Sequence, residues 1–347
     1  MASTFEQTSI APSLVTTKRI SVSVESPDAA IIAEAADVLR SGGLVAFPTE
    51  TVYGLGADAL NPDAVKKVFV AKGRPADNPL IVHLAAFEKL EEYVDEIPPL
   101  AATLARAFWP GPLTLVMKRS ILVSDVISAG LDTVAVRVPN HPVALALLRE
   151  FGEGIVAPSA NLSGRPSPTT AQHVESDLSG RIEMILDVGS TDIGVESTVL
   201  DVTQVPPAIL RPGGLTKEEI EEVAGPVMIA SQTDLLRRSP GTRYRHYAPK
   251  ARVLLVKEED VESYRTALRD LRQQQLRVAC IVHSALLAKI ESGDLVRVLP
   301  SSPKLMAKHL FSTIRELDER AEVIVIEEVE ELGLGRAIMD RLKKAAN

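Results

Sequence analysis

The residues best suited to chemistry are two cations that precede an apolar run. Lys72 and Arg74 lie in the segment KGRPADNPL, which leads directly into the run LIVHL. A hydrophobic core does not need two cations at that place, whereas an anionic ligand does. Arginine offers a planar fork to a phosphate and lysine a mobile point charge, and the neighbouring prolines make the loop rigid. The pattern therefore favours a triphosphate site over a pair of solvated surface charges.

Two other residues in this stretch have ordinary structural explanations. Asn78 precedes a proline and is typical of a turn, although its amide is also able to hydrogen-bond to a polar edge of a ligand. His83 lies inside the apolar run, where a lone histidine is more often a satisfied core residue than a catalyst. Residue type alone therefore assigns neither of them to a site.

Polar residues also accompany two later apolar runs. Arg137 interrupts the run VAVRV, which Thr133 precedes. A charge inside so apolar a segment is costly unless it is paired, and a substrate carboxylate is a natural partner. Ser159 and Asn161 follow the run IVA and introduce a loop of small polar residues that includes Ser167. Backbone N–H groups and hydroxyls in such loops bind phosphates well, so this loop is a candidate nucleotide contact.

These residues need strands to position them, and the first two thirds of the chain supply short apolar runs. The runs are 44–47, 80–84, 113–117, 134–138, 155–157, 184–188, 197–200 and 208–210. Short helical stretches separate them, such as the one that follows Asp28 and stops at Gly42, a typical pair of start and stop signals. The pattern predicts an α+β domain around a large, mixed, twisted open sheet. The lone Gly54-Leu-Gly56 is weak evidence for a nucleotide-binding loop, because a tight turn after a strand explains it equally well.

The spacing of apolar runs and helical stretches changes after residue 251. The apolar runs 253–256, 278–282, 295–299 and 323–326 alternate with helical stretches. This βαβα pattern predicts a small Rossmann-like α/β domain with a parallel sheet. No Gly-x-Gly-x-x-Gly follows its first strand, so dinucleotide binding is unsupported there. The predicted division is a flexible tail over 1–20, a catalytic domain over 21–225, a connector over 226–250 and a second domain over 251–347.

The connector contains the segment SPGTRYRHYAP, residues 239–249. Two prolines and a glycine make it neither helix nor ordinary strand, and its tyrosines, arginines and histidine are poor residues for a flexible spacer. It is therefore expected to pack against something. It is interpreted either as a strap that docks the two domains or as a lid over the first domain's site.

Composition excludes several classes of protein. The 347 residues are 46% hydrophobic, enough to fill the cores of two domains, so disorder is not expected. The net charge of −8 argues against a protein whose main task is to bind nucleic acid. No run is long and apolar enough to span a bilayer. The single cysteine, Cys280, excludes an intramolecular disulfide and fits a reducing compartment, so a cytoplasmic location is expected.

The common nucleotide and hydrolase motifs are missing from the sequence. It contains no P-loop, kinase signature, zinc spacing or Gly-x-Ser-x-Gly elbow. Several of its own motifs, taken in order, resemble the YrdC/Sua5 family, and the connector and trailing α/β region resemble the two-domain Sua5 branch. The motifs are PTETVYGLG at 48–56, KGRP at 72–75, NPLIVH at 78–83, PGPLT at 110–114, SAN at 159–161, STV at 197–199 and SPGTRYRHYAP at 239–249.

The resemblance implies a threonylcarbamoyl-AMP synthase. Such an enzyme joins L-threonine, bicarbonate (or CO2) and ATP into threonylcarbamoyl-adenylate and releases pyrophosphate, with Mg2+ bound through the ATP phosphates and no metal cage supplied by the protein. A separate transferase complex then uses the product to form N6-threonylcarbamoyladenosine at position 37 of tRNAs that read ANN codons. Weak contact with tRNA is conceivable within that scheme, and a membrane is not involved.

The resemblance also implies roles for individual residues. The residues similar to the family's L-threonine pocket are Thr51, His83, Arg137, Ala157 and Ser197, with Arg137 on the carboxylate. Those similar to its ATP contacts are Lys72, Arg74, Asn78, Thr133, Ser159, Asn161, Ser167, Arg211 and the lid residue Tyr247. Lys72 and Arg74 would stabilise charge on the leaving pyrophosphate and are the catalytic candidates.

Two other functions stay open at this point. A pure RNA-binding module would use the basic run over 237–252, but the acidic balance and an aromatic content of 4% speak against it. A carbamoyl-transfer domain acting on carbamoyl phosphate resembles part of the hydrogenase maturation proteins. Those proteins add zinc-finger cysteines, which one cysteine cannot supply.

Overall fold

The computed structural model describes residues 15–231, 233–239, 246–257, 260–283 and 295–347. Over these residues the chain forms two sheets, each with helices packed against it. The strands of the first sheet are β1 (Lys18–Ser21), β2 (Val45–Phe47), β3 (Gly54–Asp58), β4 (Ile81–His83), β5 (Leu113–Lys118), β6 (Thr133–Arg137), β7 (Ile155–Val156), β8 (Met184–Asp187), β9 (Thr198–Asp201), β10 (Ala208–Arg211) and β11 (Met228–Ile229). Those of the second sheet are β12 (Arg252–Val256), β13 (Val278–Val282), β14 (Leu295–Val298) and β15 (Val323–Glu327).

The helices connect these strands. They are α1 (Ala29–Arg40), α2 (Pro62–Lys72), α3 (Leu90–Tyr93), α4 (Pro99–Phe108), α5 (Asp125–Ser128), α6 (Pro142–Phe151), α7 (Ala171–Leu178), α8 (Lys217–Ala224), α9 (Thr233–Leu236), α10 (Val261–Gln273), α11 (Pro303–Asp318) and α12 (Gly335–Ala346), with a 3-10 turn over Phe87–Lys89. Asp28 caps α1 by accepting from the backbone N–H of Ala30, as the start signal predicted.

The first sheet confirms the predicted large, mixed architecture. Its described strands run in the order β1-β8-β2-β3-β7-β4-β6-β5-β9-β10-β11. Parallel pairs such as β4 with β6 alternate with antiparallel pairs such as β5 with β6. All eight predicted runs fall on strands of this sheet, because buried strands carry a continuous apolar signal.

Two stretches differ from the sequence-based expectation. The Gly54-Leu-Gly56 segment is the start of β3, and not the tight turn that was one explanation of its two glycines. A Cβ on Gly56 would lie 2.9 Å from Phe47 Cε1, so the glycine is there to let neighbouring side chains pack against the strand. Strand β1 pairs in parallel with β8, so residues 18–20 of the predicted flexible tail form a strand. Residues 1–14 of that tail lie outside the described residues.

The second sheet is parallel, as the βαβα pattern predicted. Its order is β12-β15-β13-β14, and helices α11 and α12 pack their buried faces against it. Within the segment 239–249, residues 240–245 lie outside the described residues. The described residues there belong to neither helix nor strand, in agreement with the prolines of the sequence.

The two sheet units meet along α11, α12 and the end of the connector. Arg315 on α11 is buried and donates to the Pro166 carbonyl (Nε, 3.1 Å) and to the Asp177 carboxylate (Nη2, 2.8 Å). Tyr247 of the connector stacks on Phe311 with ring centroids 5.5 Å apart. Among the described residues no helix is long and apolar enough to cross a membrane.

The packing at Gly56 predicts a measurable loss of stability on substitution. In Gly56→Ala the new methyl group would contact Phe47, Ile155 and the Val45 carbonyl at 2.9–3.0 Å, so we expect the free energy of unfolding to fall by about 1–3 kcal/mol. Denaturant titration measures this change. Combining the substitution with Phe47→Leu removes part of the clash, so the double variant is expected to lose less than the sum of the two single losses. Strict additivity would contradict the proposed contact.

Candidate functional site

A cavity opens on the first sheet, beside the end of the connector. Its mixture of apolar and polar walls is that of a small-molecule site. Of the fourteen residues that the sequence assigns to substrate binding, eleven line it: Thr51, Arg74, His83, Arg137, Ala157, Ser159, Asn161, Ser167, Ser197, Arg211 and Tyr247. Loops between the strands of the sheet carry most of them. Residues far apart in the sequence therefore meet around one space.

Lys72 lies just behind the cavity wall. It is the last residue of α2, which Asn61 caps at its start and which ends at Gly73 in the left-handed conformation (φ 61°). Its ammonium group donates to the carbonyl oxygens of Ser159 (2.5 Å) and Asn161 (2.6 Å). Burial lowers the pKa of this amine well below its usual value. Lys72 thus fixes the backbone of the loop that follows β7.

The other two predicted residues also lie outside the cavity lining. Asn78 is almost fully buried, and neither its amide nitrogen nor its amide oxygen has a hydrogen-bond partner among the described residues. A buried amide of this kind is costly, so it is suited to an incoming polar group. Thr133 begins β6, where it pairs with Lys118, and Arg137 ends the same strand. The structure therefore does not bring Thr133 to the lining with the rest.

Arg137 has two hydrogen-bond partners and one ion-pair partner within the chain, and its Nη2 forms no hydrogen bond among the described residues. Its guanidinium donates to the Gly111 carbonyl (Nε, 3.1 Å) and to the Thr51 hydroxyl (Nη1, 3.0 Å). Its Nη2 lies 2.7 Å from Oε1 of Glu50, an ion pair in which both side chains are nearly fully buried. The pairing that an arginine in an apolar strand requires is therefore supplied by Glu50, which the sequence analysis did not single out. A ligand carboxylate that reaches Arg137 has to compete with Glu50.

His83 lies beside Arg137 because β4 and β6 pair in parallel with these two residues in register. Its ring meets Phe47 edge to face, with centroids 6.4 Å apart. Burial, and secondly the charge of Arg137, lower the pKa of His83 to about 3. The imidazole is therefore neutral near pH 7 and able to donate or accept one hydrogen bond.

Arg211 and Ser197 form a second buried cluster on the neighbouring strands β9 and β10. Arg211 donates to the Ser197 carbonyl (Nη2, 2.9 Å) and to its hydroxyl (3.2 Å), and Ser197 Oγ lies 2.8 Å from Thr114 Oγ1. Burial lowers the pKa of Arg211, although the side chain stays a cation at any physiological pH. The cluster places a planar fork and a hydroxyl at one wall of the cavity.

Glu196 is the acidic residue among the cavity lining, and its carboxylate is already engaged. Ser167 donates its hydroxyl to Oε1, and Arg341 of α12 donates Nε to Oε2 at 2.9 Å. These neighbours keep the pKa of Glu196 below its usual value despite its burial. Within the described residues no group of three or more His, Cys, Asp or Glu side chains is placed to hold a metal ion.

Tyr247 forms the side of the cavity that faces the second sheet. Its ring stacks on Phe311, and the Arg341 guanidinium lies over it at 5.4 Å from the centroid. Burial, and secondly the charge of Glu196, raise the pKa of Tyr247 to about 12, so the phenol is neutral. Its backbone has φ 62°, which is uncommon outside glycine, and neighbouring His246 also lines the cavity. The adjacent part of the connector, residues 240–245, lies outside the described residues.

Sequence reasoning missed two residues that shape this site. Glu50 was quoted only as part of the PTETVYGLG motif, and a carboxylate between two threonines gives no separate signal. Arg341 had a signal, because it lies on the apolar stripe of α12 formed by Ala337, Ile338 and Leu342. A cation on such a stripe requires a specific buried partner.

Comparison with protein families divides the chain into two adjoining parts. A family model described as "Telomere recombination", which groups Sua5, YciO and YrdC, matches residues 37–213. A model described as "Threonylcarbamoyl-AMP synthase, C-terminal domain" matches residues 215–347. Together the two matches include the cavity, the connector and the second sheet.

Individual relatives are similar over nearly the whole chain. The threonylcarbamoyl-AMP synthase of Pyrococcus abyssi is 50% identical over 322 residues, covering 90% of this chain and 93% of the relative. That of Bacillus subtilis is 48% identical, covering 91% and 92%. The crystal structure of P. abyssi Sua5 complexed with L-threonine superimposes with a TM-score of 0.88 at 46% identity, covering 96% of this chain and 97% of that one.

The buried histidines predict a dependence of stability on pH. The pKa values are lowered to about 3 for His83 and to about 4 for His173, mainly by burial, from an ordinary value of 6.5. As pH falls below 6.5 the unfolded chain takes up protons that the folded protein does not, so the free energy of unfolding decreases. We expect His83→Gln to reduce this slope by up to about 1.4 kcal/mol per pH unit between about pH 6 and 4. Denaturant titration at a series of pH values measures it, with His173→Gln as the matched variant. An unchanged slope in both would contradict neutral burial.

Proposed function

Because the chain belongs to the YrdC/Sua5 family of threonylcarbamoyl-AMP synthases, we propose that it condenses L-threonine, bicarbonate or CO2, and ATP into threonylcarbamoyl-adenylate and pyrophosphate. The observation that carries the proposal is a single cavity lined by two kinds of residues. Arg137, His83 and Thr51 suit an amino acid. Arg74, Arg211 and Ser167 suit a nucleotide's phosphates.

The amino-acid end is proposed to bind L-threonine through Thr51, His83, Arg137, Ala157 and Ser197. Arg137 would hold the carboxylate, and because Glu50 lies 2.7 Å from its Nη2, binding exchanges one carboxylate for another. Because one carboxylate replaces another beside the guanidinium, the electrostatic cost of the exchange inside the buried site is small. Neutral His83 and the hydroxyls of Thr51 and Ser197 are suited to the substrate's polar side chain. The complex of P. abyssi Sua5 with L-threonine supports the choice of ligand.

The nucleotide end is proposed to bind MgATP. Its residues are Lys72, Arg74, Asn78, Thr133, Ser159, Asn161, Ser167, Arg211 and Tyr247, of which Lys72, Asn78 and Thr133 act from outside the cavity lining. Lys72 would act in part through the backbone that it fixes at Ser159 and Asn161. The unpartnered amide of Asn78 would receive a polar group of the ligand. Mg2+ would neutralise charge on the phosphates when it enters with ATP.

The proposed chemistry needs positioning more than a strong acid or base. The threonine amine attacks the carbon of CO2, forming the N–C bond and releasing a proton to solvent. A carbamate oxygen then forms a bond to the α-phosphorus, while the bond from that phosphorus to the bridging oxygen breaks and pyrophosphate leaves. Arg74 and Lys72 are the candidates to stabilise the charge that accumulates on the leaving group. The hydroxyls and the neutral imidazole keep the amine and the α-phosphorus in place.

The remaining parts of the proposal concern the protein's setting. The product is proposed to pass to a transferase complex that modifies position 37 of tRNAs reading ANN codons, with at most weak tRNA contact by this chain. The cytoplasmic location suggested by the single cysteine stays a prediction. So do the boundaries of the tail (1–20), the catalytic domain (21–225), the connector (226–250) and the second domain (251–347).

The proposal is tested by the release of pyrophosphate from MgATP. We expect release to require both L-threonine and bicarbonate, and label from carbon-labelled bicarbonate to appear in an adenylate. Omitting either substrate from the same reaction is the control. Release that is independent of threonine, or label that never enters an adenylate, would overturn the proposed reaction.

The assignment of Arg137 predicts a loss of threonine binding. Arg137→Met alone would leave Glu50 buried without its cation, so the informative variant is Arg137→Met with Glu50→Gln, which removes both charges. We expect its affinity for L-threonine to fall at least about tenfold, equivalent to about 1.4 kcal/mol. Calorimetric titration with L-threonine measures the affinity.

Glu50→Gln alone is the matched control for this prediction. Because it removes the competitor and keeps the guanidinium, it is expected to bind L-threonine at least as tightly as the parent protein. A double variant that binds L-threonine as tightly as the parent protein would remove Arg137 from the pocket.

A further inference from the structure

Arg341 is a cation of the second sheet unit that is buried at the edge of the cavity. It lies on α12, and only 1% of its side chain is exposed, which places it among the largest fully buried side chains of the described residues. Burying a guanidinium costs several kcal/mol unless its partners compensate. The partners of Arg341 therefore indicate what this burial achieves.

Arg341 has four partners among the described residues, and one of them is the neighbouring Asp340, whose carboxylate accepts from Nη1 at 2.9 Å. The other three belong to the wall of the cavity or adjoin it. Its Nε donates to Glu196 Oε2 at 2.9 Å, and Nη1 donates to the Pro212 carbonyl, one residue after Arg211. Its guanidinium carbon lies 5.4 Å from the centroid of the Tyr247 ring. One side chain of the second unit thus contacts three separate stretches of the first unit and the connector.

The contacts continue from these partners into the cavity. Glu196 accepts the hydroxyl proton of Ser167, so the position of this hydroxyl depends on a carboxylate that Arg341 holds. Tyr247 is held between Phe311 of α11 and Arg341 of α12, both in the second unit. Ser167, Tyr247 and Arg211 are among the lining residues assigned above to the nucleotide. Among the described residues, Arg137 and His83, which are assigned to L-threonine, form no hydrogen bond or ion pair with Arg341.

Stability alone is a poor explanation for such an arrangement. A buried ion pair is often no more stabilising than apolar side chains of similar volume. Neither N–H of Arg341 Nη2 has an acceptor among the described residues. The fixed fork geometry of arginine is instead suited to holding a carboxylate, a carbonyl and a ring in one arrangement.

We propose that Arg341 is the positioning residue through which the second sheet unit completes the nucleotide end of the cavity. This inference rests on the proposed function for the identity of the ligand, an adenine nucleotide with its Mg2+. The second unit then has a role in the reaction, because Glu196, Ser167 and Tyr247 adopt their arrangement only when α12 packs against the first unit.

The test compares the affinities for two ligands in the full-length protein. We expect Arg341→Met to weaken binding of MgATP at least about tenfold while the dissociation constant for L-threonine changes less than about twofold. Arg341→Lys keeps the charge beside Glu196 but lacks the planar fork, so its MgATP affinity is expected to lie between those of Arg341→Met and the parent protein. Calorimetric titration with each ligand separately measures both constants.

The matched control is Arg336→Met on the same helix. Arg336 also forms an ion pair across the two units, with its Nη2 3.3 Å from Glu218 Oε1, but this pair is partly exposed. Its removal tests whether any weakened contact between the units has the same effect. We expect both dissociation constants of Arg336→Met to stay within about twofold of the parent values.

Three results would overturn the inference. The first is unchanged MgATP affinity in Arg341→Met, or in Arg341→Lys if the methionine variant does not fold. The second is an equal loss of affinity for MgATP and L-threonine. The third is the same selective loss in Arg336→Met. If the parent protein binds MgATP but releases no pyrophosphate with threonine and bicarbonate, the proposed reaction fails while the comparison of MgATP affinities still decides the role of Arg341.

Discussion

The cavity depends on buried cations that are held by backbone carbonyl oxygens. Lys72 binds the carbonyls of Ser159 and Asn161, Arg137 binds that of Gly111, and Arg211 binds that of Ser197. A cation removed from water needs such acceptors, and each acceptor lies in a loop that joins strands or leads into one. The loops are therefore fixed by the charges that they enclose, and the enclosed space has a positive potential before any ligand arrives.

Two carboxylates reduce this positive potential, and each pairs with a different arginine at a different end of the cavity. Glu50 pairs with Arg137 inside the first sheet unit, at the end of the cavity that suits an amino acid. Glu196 pairs with Arg341 across the two units, at the end that suits phosphates. The two ends of one cavity are thus connected to different parts of the molecule. If the proposed assignment of the two ends holds, a disturbance of the interface between the units acts first on the end that binds the nucleotide.

Much of the fold was predictable from the sequence, because buried strands appear there as runs of apolar residues. Strand β3 was not, since its glycines give no hydrophobic signal and are needed only because Phe47 packs against them. For the site, the motifs identified most of the residues that meet around the cavity. Their pairing was not predictable, because the contact of Lys72 with Asn161 joins positions 89 residues apart and follows from the tertiary fold alone. The position of Arg341 on the apolar stripe of α12 was recognisable from the sequence, but its partner Glu196 was not.

The distance in sequence between Glu196 and Arg341 has a consequence for the newly made chain. Their contact spans 145 residues, so a ribosome adding about 5–20 residues per second delivers the arginine on the order of ten seconds after the glutamate. During that interval the first sheet is able to form while Glu196 lacks its cation and Tyr247 lacks its stacking partner. Contacts of such long range form late in folding. Biosynthesis thus builds the scaffold for the cavity before it supplies the α12 side chain that contacts two residues of the cavity wall, Glu196 and Tyr247.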